Sequence, residues 1–151
     1  MIFLPALKRL QRPLFFFLLV VLDSCSALKA QAPRRTSQVQ ITREFLLAIL
    51  HKQDARAYKL LALETAQTMP LAQFKQAIQP LYAQGKRFGP TISLYKLGMR
   101  MGGQGTRYFY DFSFRSDSLH PRPQVLLDVS FRDSTATRIM SFGQIPALQR
   151  K

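Results

Sequence analysis

Apolar positions change their period partway along the chain. From Ser37 to about Gly89 they recur every three or four residues, the spacing of one helical face. From Thr91 to Ile145 they alternate, as strand residues do. Ser37 and Gln40 form an S-x-x-Q capping signature. It predicts a helix with Ile41, Phe45, Ala48, Ile49 and Lys52 on one face, widened by Leu46, Leu47 and Leu50 and closed by His51. Asp54 is expected to cap a second helix through "DARAYKLLALETA", with Tyr58, Leu61 and Ala62 inward. A third is expected near Thr68 or Met69, with Pro70 in its first turn and Leu71, Phe74, Ala77 and Ile78 inward. Pro80 should end or kink it, and Gly85 and Gly89-Pro90 should punctuate the exit.

The second half reads as strands. "TISLYKLGMRM" is a strand and "GGQGT" a turn. "RYFYDFSFR" then sends Tyr108, Tyr110, Phe112 and Phe114 one way, and Phe109, Asp111 and Ser113 the other. "QVLLDVSF" puts Val125, Leu127, Val129 and Phe131 on one face and Asp128 on the opposite one. "RDS" is a tight turn before a last strand in "TATRIMSFGQI". Short connections argue for an antiparallel meander. The fold class is therefore α+β, with N-terminal helices packed on a curved antiparallel sheet of about four strands.

The first 22 residues follow neither pattern. "MIFLPALKRLQRP" is basic and "LFFFLLVVL" is wholly apolar, and small and polar residues follow. This is the order of a secretory signal, and the apolar run is shorter than the roughly 20 residues that span a bilayer. The sequence divides into a signal peptide (1–30), a polar linker (31–37), the α+β domain (38–146) and a short basic tail (147–151). Export to the periplasm or outside the cell follows as the expected location. Cys25, the single cysteine, leaves with the signal if cleavage follows it. Alternatively, Leu22-Asp23-Ser24-Cys25 resembles a bacterial lipoprotein box, and a lipid on Cys25 would anchor the domain to a membrane. Asp23 departs from that pattern.

Charge narrows the partners. The net charge is +14, of which residues 1–30 carry +3, leaving +11 on residues 31–151. A basic surface favours anionic membranes or envelope polymers. Nucleic acid is disfavoured, because export separates the domain from it and the basic residues are scattered. One cysteine excludes an internal disulfide and a cysteine-rich zinc site. His51 and His120 show no metal-ligand spacing, and no phosphate-binding glycine loop occurs. No metal and no cofactor is expected.

The segments "TREFLLAILHKQDARAYKLL", "YAQGKRFGP" and "VLLDVSFRDSTATRIMSFG" resemble small bacterial extracytoplasmic members of the nuclear-transport-factor-like superfamily, the ketosteroid-isomerase-like cone fold. The resemblance spans roughly residues 38–144. It implies a sheet curved around a conical interior, and some relatives form homodimers through the sheet. It also implies where a pocket would lie: Phe45, Ile49, Tyr58 and Phe74 from the helices, and Tyr108, Tyr110, Phe112 and Phe114 from the aromatic strand. The same eight side chains are plain core if the cone is filled. Enzymes of this fold hold an acid or histidine in the cone. Here the catalytic candidates are Asp111 and Asp128, which alternation assigns to the outer face; they would meet in a pocket only if the polar face were inner.

Three functions follow. The first is a non-catalytic exported or envelope-associated binding module for a small apolar ligand or an envelope protein. The second is a small isomerase or hydratase-type enzyme using a pocket carboxylate. The third is an electrostatic adaptor to anionic envelope surfaces.

Overall fold

The computed structural model describes residues 36–102, 105–119 and 122–146. The expected signal peptide, Cys25, the linker up to Arg35, His120 and the basic tail lie outside the described residues. Among the described residues, five helices precede four strands: α1 Gln38–Leu50, α2 Asp54–Tyr58, α3 Leu63–Thr68, α4 Leu71–Ala77, α5 Gln79–Phe88, then β1 Ile92–Gly102, β2 Gly105–Phe114, β3 Val125–Phe131 and β4 Ser141–Pro146. A short 3-10 turn, Asp117–Leu119, lies between β2 and β3. The sheet has the order β1-β2-β3-β4, antiparallel throughout, so the α+β meander is present.

α1 starts as its sequence dictates. Ser37 and Gln40 make the reciprocal capping box, and Phe45, Leu46 and Ile49 are fully buried. Lys52 is not on that face: it follows the helix end, exposed, with a left-handed φ of 59°. The second expected helix is two. The backbone leaves α2 at Tyr58 because Leu61 bridges Ile139, with Ala62 N–H donating to Ile139 at 2.7 Å and Ile139 N–H to Leu60 at 2.9 Å. Asp54 is the first residue of α2 and gives no side-chain cap; its carboxylate accepts the Tyr82 hydroxyl. That pairing adds to the burial that raises the Tyr82 pKa.

Pro80 does end the third helix, which stops at Ala77. It sits in the first turn of α5, where its missing N–H leaves no bond unmade. Ile78 is the junction between α4 and α5. Gly85 lies inside α5 against α1; a Cβ there would stand 2.6 Å from Leu50 Cδ2. Gly89, at φ 82°, supplies the actual stop.

The core lies between the helices and one face of the sheet. The aromatic row divides there as alternation requires: Phe112 and Phe114 are at most 1% exposed, and Leu127, Val129 and Phe131 are sealed beside them. Phe45, Phe74 and Phe142 form a triangle of tilted rings, 5.3 to 6.3 Å between centroids. Helical cover stops early on β1. Arg43 reaches the Ile92 carbonyl at 3.3 Å and Ile92 is buried, but Leu94, Leu97, Met99 and Met101 on the same face are exposed.

Candidate functional site

The proposed pocket residues are brought together, but around filled space. Phe45, Ile49, Phe74, Phe112 and Phe114 are packed core, none more than 1% exposed. Tyr58 is half-buried, edge-on to Phe74, and its hydroxyl donates to the Ala66 and Met69 carbonyls, each at 3.0 Å. Tyr110 packs edge-on against Phe131 and donates to Gln38 Oε1 at 2.9 Å. Gln38 in turn ties the start of α1 to the Asp133 and Ala136 carbonyls at 2.8 and 2.7 Å. Burial, with Tyr108 nearby, raises the Tyr110 pKa. Tyr108 is half-buried toward the open end of the sheet.

Asp111 and Asp128 do meet, on the face away from the helices. Antiparallel register sets them directly opposite each other on β2 and β3, and Lys96 of β1 faces Asp111 on its other side. Alternation assigns the face correctly; the expectation that the two acids would meet only on an inner polar face fails, because they pair across β2 and β3 on the outer one. Asp111 is 3% exposed. It is roofed by neighbours on its own face: Phe109, 6% exposed, carries the Arg100 guanidinium 4.2 Å above its ring and the Lys96 ammonium at 5.4 Å. Gly98 makes room for that ring, since a Cβ there would lie 3.0 Å from Phe109 Cε1 and Cζ.

The two carboxyls are not equivalent. Arg100 grips Asp128 with both terminal nitrogens, at 3.0 and 2.7 Å. Its nearest approach to Asp111 is 3.8 Å, and Asp111 Oδ1 is buried without a hydrogen-bond partner. Burial, the hydrogen bond to Asp128 and the charge of Asp128 together push Asp111 up from 3.8 to about 7, against the opposing pull of Arg100 and Lys96. Two carboxylates in contact cannot both ionise cheaply, so one proton is retained on the less paired partner. The arrangement can hold and release a proton near neutrality.

Surface grooves lie elsewhere among the described residues. One, of about 490 Å³, lies between α3 and the β3–β4 connection and holds the Glu64–Arg132 ion pair. Others lie beside α2 and α4, and along the polar side of α1. None of these includes Asp111 or Asp128. Among the described residues no group of His, Cys, Asp and Glu could hold a metal ion, and no helix is long and apolar enough to cross a membrane.

Two features escaped sequence reasoning. Asp117 is fully buried and folds the β2–β3 connection by accepting the Gln124 and Val125 N–H groups at 2.7 and 3.2 Å; its signal was an acid beside serines in a loop. The uncovered apolar row of β1 was legible as alternation, but nothing local said that the helices stop short of it. Comparison with family models, curated proteins and solved structures finds no match.

Proposed function

We propose that this chain is a non-catalytic exported or envelope-associated binding module that engages its partner through the uncovered part of the sheet, not through an interior pocket. One contrast carries the reading. The space between helices and sheet is filled with interlocked phenyl rings, while Leu97, Met99 and Met101 stand 59%, 60% and 87% exposed in one row. Large apolar side chains in a contiguous row are uncommon on a surface with no partner. Export rests on the basic-then-apolar order of residues 1–22. The helices-then-meander order agrees with membership of the nuclear-transport-factor-like superfamily, which stays part of the proposal.

The test is native-state binding of anilinonaphthalene sulfonate, an amphiphilic dye. Binding that is lost in Leu97→Ser/Met99→Ser supports the reading. Binding unchanged in that variant places the contact elsewhere and contradicts it.

A second reading, a small isomerase or hydratase-type enzyme, is favoured by one observation: Asp111 is buried with its acidity weakened beside a second carboxyl. Against it, Asp111 is only 3% exposed, beside Phe109 and Arg100 on its own face.

A further inference from the structure

The β1–β2 hairpin has two unlike faces. On the helix side, Leu97, Met99 and Met101 are exposed, and half-buried Tyr108 stands opposite Met99. On the other side run Lys96, Arg100 and Arg107, the two arginines opposite each other in register. No acid occurs anywhere between Ile92 and Tyr110. β3 pairs with β2 only as far as Phe131 opposite Tyr108, so the part of the hairpin beyond Met99 projects past the rest of the sheet.

Such a projection needs a partner that accepts apolar side chains and positive charge together. A second copy fits badly, because each copy brings +11 on residues 31–151 alone and an equally basic hairpin. A bilayer with anionic headgroups satisfies both demands: it takes the Leu and Met side chains into the headgroup–acyl boundary and attracts the cations. Methionine suits a fluid surface, because its unbranched side chain adapts to irregular neighbours. Depth is limited by the backbone. β1 is an edge strand, and its unpaired N–H and C=O groups need water, so the hairpin can lie at headgroup level but cannot enter the hydrocarbon.

We infer that the β1–β2 hairpin docks this protein on anionic lipid surfaces, through Leu97, Met99 and Met101 on one face and Lys96 on the other. Arg100 keeps its ion pair with Asp128 and holds the root of the hairpin against β3. The inference rests on the sheet-surface reading above and names its partner.

The experiment is sedimentation of the full chain with vesicles of phosphatidylglycerol and phosphatidylcholine in equal parts, and with pure phosphatidylcholine. The mixed vesicles should bind and the pure ones should not, and binding should fade as salt rises from about 0.05 M to about 0.5 M. Leu97→Ser/Met99→Ser/Met101→Ser keeps every charge and should weaken binding at least roughly tenfold. Lys96→Gln should weaken it roughly fivefold. Circular dichroism melts show whether each variant folds; should the triple variant fail, Met101→Ser alone, at the most exposed position, should still weaken binding roughly threefold. Native-level binding by the folded apolar variants overturns the inference, because another part of the chain then holds the membrane. So does equal binding to both vesicle types. A native dimer that the triple variant converts to monomer, with vesicle binding unchanged, assigns the face to a second copy and also overturns it. Dye binding that persists while vesicle binding is absent leaves the proposed function standing and removes only this inference.

Discussion

Asp111 shows how much one buried carboxyl can do. Its folded pKa of about 7 lies above its ordinary value of 3.8. The folded state therefore binds a proton that the unfolded state has already released between those values. Stability from this group is complete below about 3.8 and is lost as pH rises through about 7. The expected outcome is a denaturation midpoint that falls between pH 4 and pH 8, by on the order of 4 kcal/mol in stability. Urea titration across that range checks it, and Asp111→Asn should flatten the slope, since the amide cannot ionise. A midpoint that rises over the same range would contradict the shared proton. At the same scale, Gly98→Val should cost roughly 1–3 kcal/mol by overpacking against Phe109, whose ring already closes on the site of a Cβ at 3.0 Å. A melting curve of that variant reads the effect directly.

At the level of elements, long-range pairing decides where sequence periodicity fails. The strands were legible because alternation and burial agree: Phe112, Phe114, Leu127 and Val129 all face the helices. α1 was legible because its capping box is local chemistry. The stretch from Asp54 to Ala66 carries a continuous helical pattern, yet it breaks at Leu61. The break is set by Ile139, nearly eighty residues away, whose backbone pairs with Leu60 and Ala62. No local signal announces such a partner. Pro80 marks the end of α4, as its missing N–H requires, but the same proline also opens α5, and no local signal announces that a new helix follows at once. The candidate acids were found by type, but their burial depends on Phe109 and Arg100 closing over them, which alternation alone does not disclose. Two predictions belong here. Ser37→Ala should lose about 1 kcal/mol by removing the α1 cap. Ile139→Ala should lose about 2–5 kcal/mol, because a fully buried side chain goes from the point where the helical layer meets the sheet. Thermal melts of the two variants rank them, and a larger loss for Ser37→Ala would undo the argument.

For the whole folded unit, filling and exposure are two sides of one design. The aromatic side chains that could have lined a cavity instead pack against one another, and Phe45, Phe74, Phe112 and Phe114 are each at most 1% exposed. The helices then cover β3, β4, the second half of β2 and the first residues of β1, and the remaining apolar row of β1 is presented outward. Function on this account lies on the surface that the core does not use. The chain carries its own reporters for this: of its five methionines, Met99 and Met101 stand on the exposed row, Met69 packs against the core and Met140 lines the groove beside α3. The most direct measurement is methyl NMR of methionine-labelled protein titrated with anilinonaphthalene sulfonate. The account predicts that the Met99 and Met101 signals shift or broaden while those of Met69 and Met140 stay in place. Movement of Met69 or Met140 with Met99 and Met101 unmoved would contradict it.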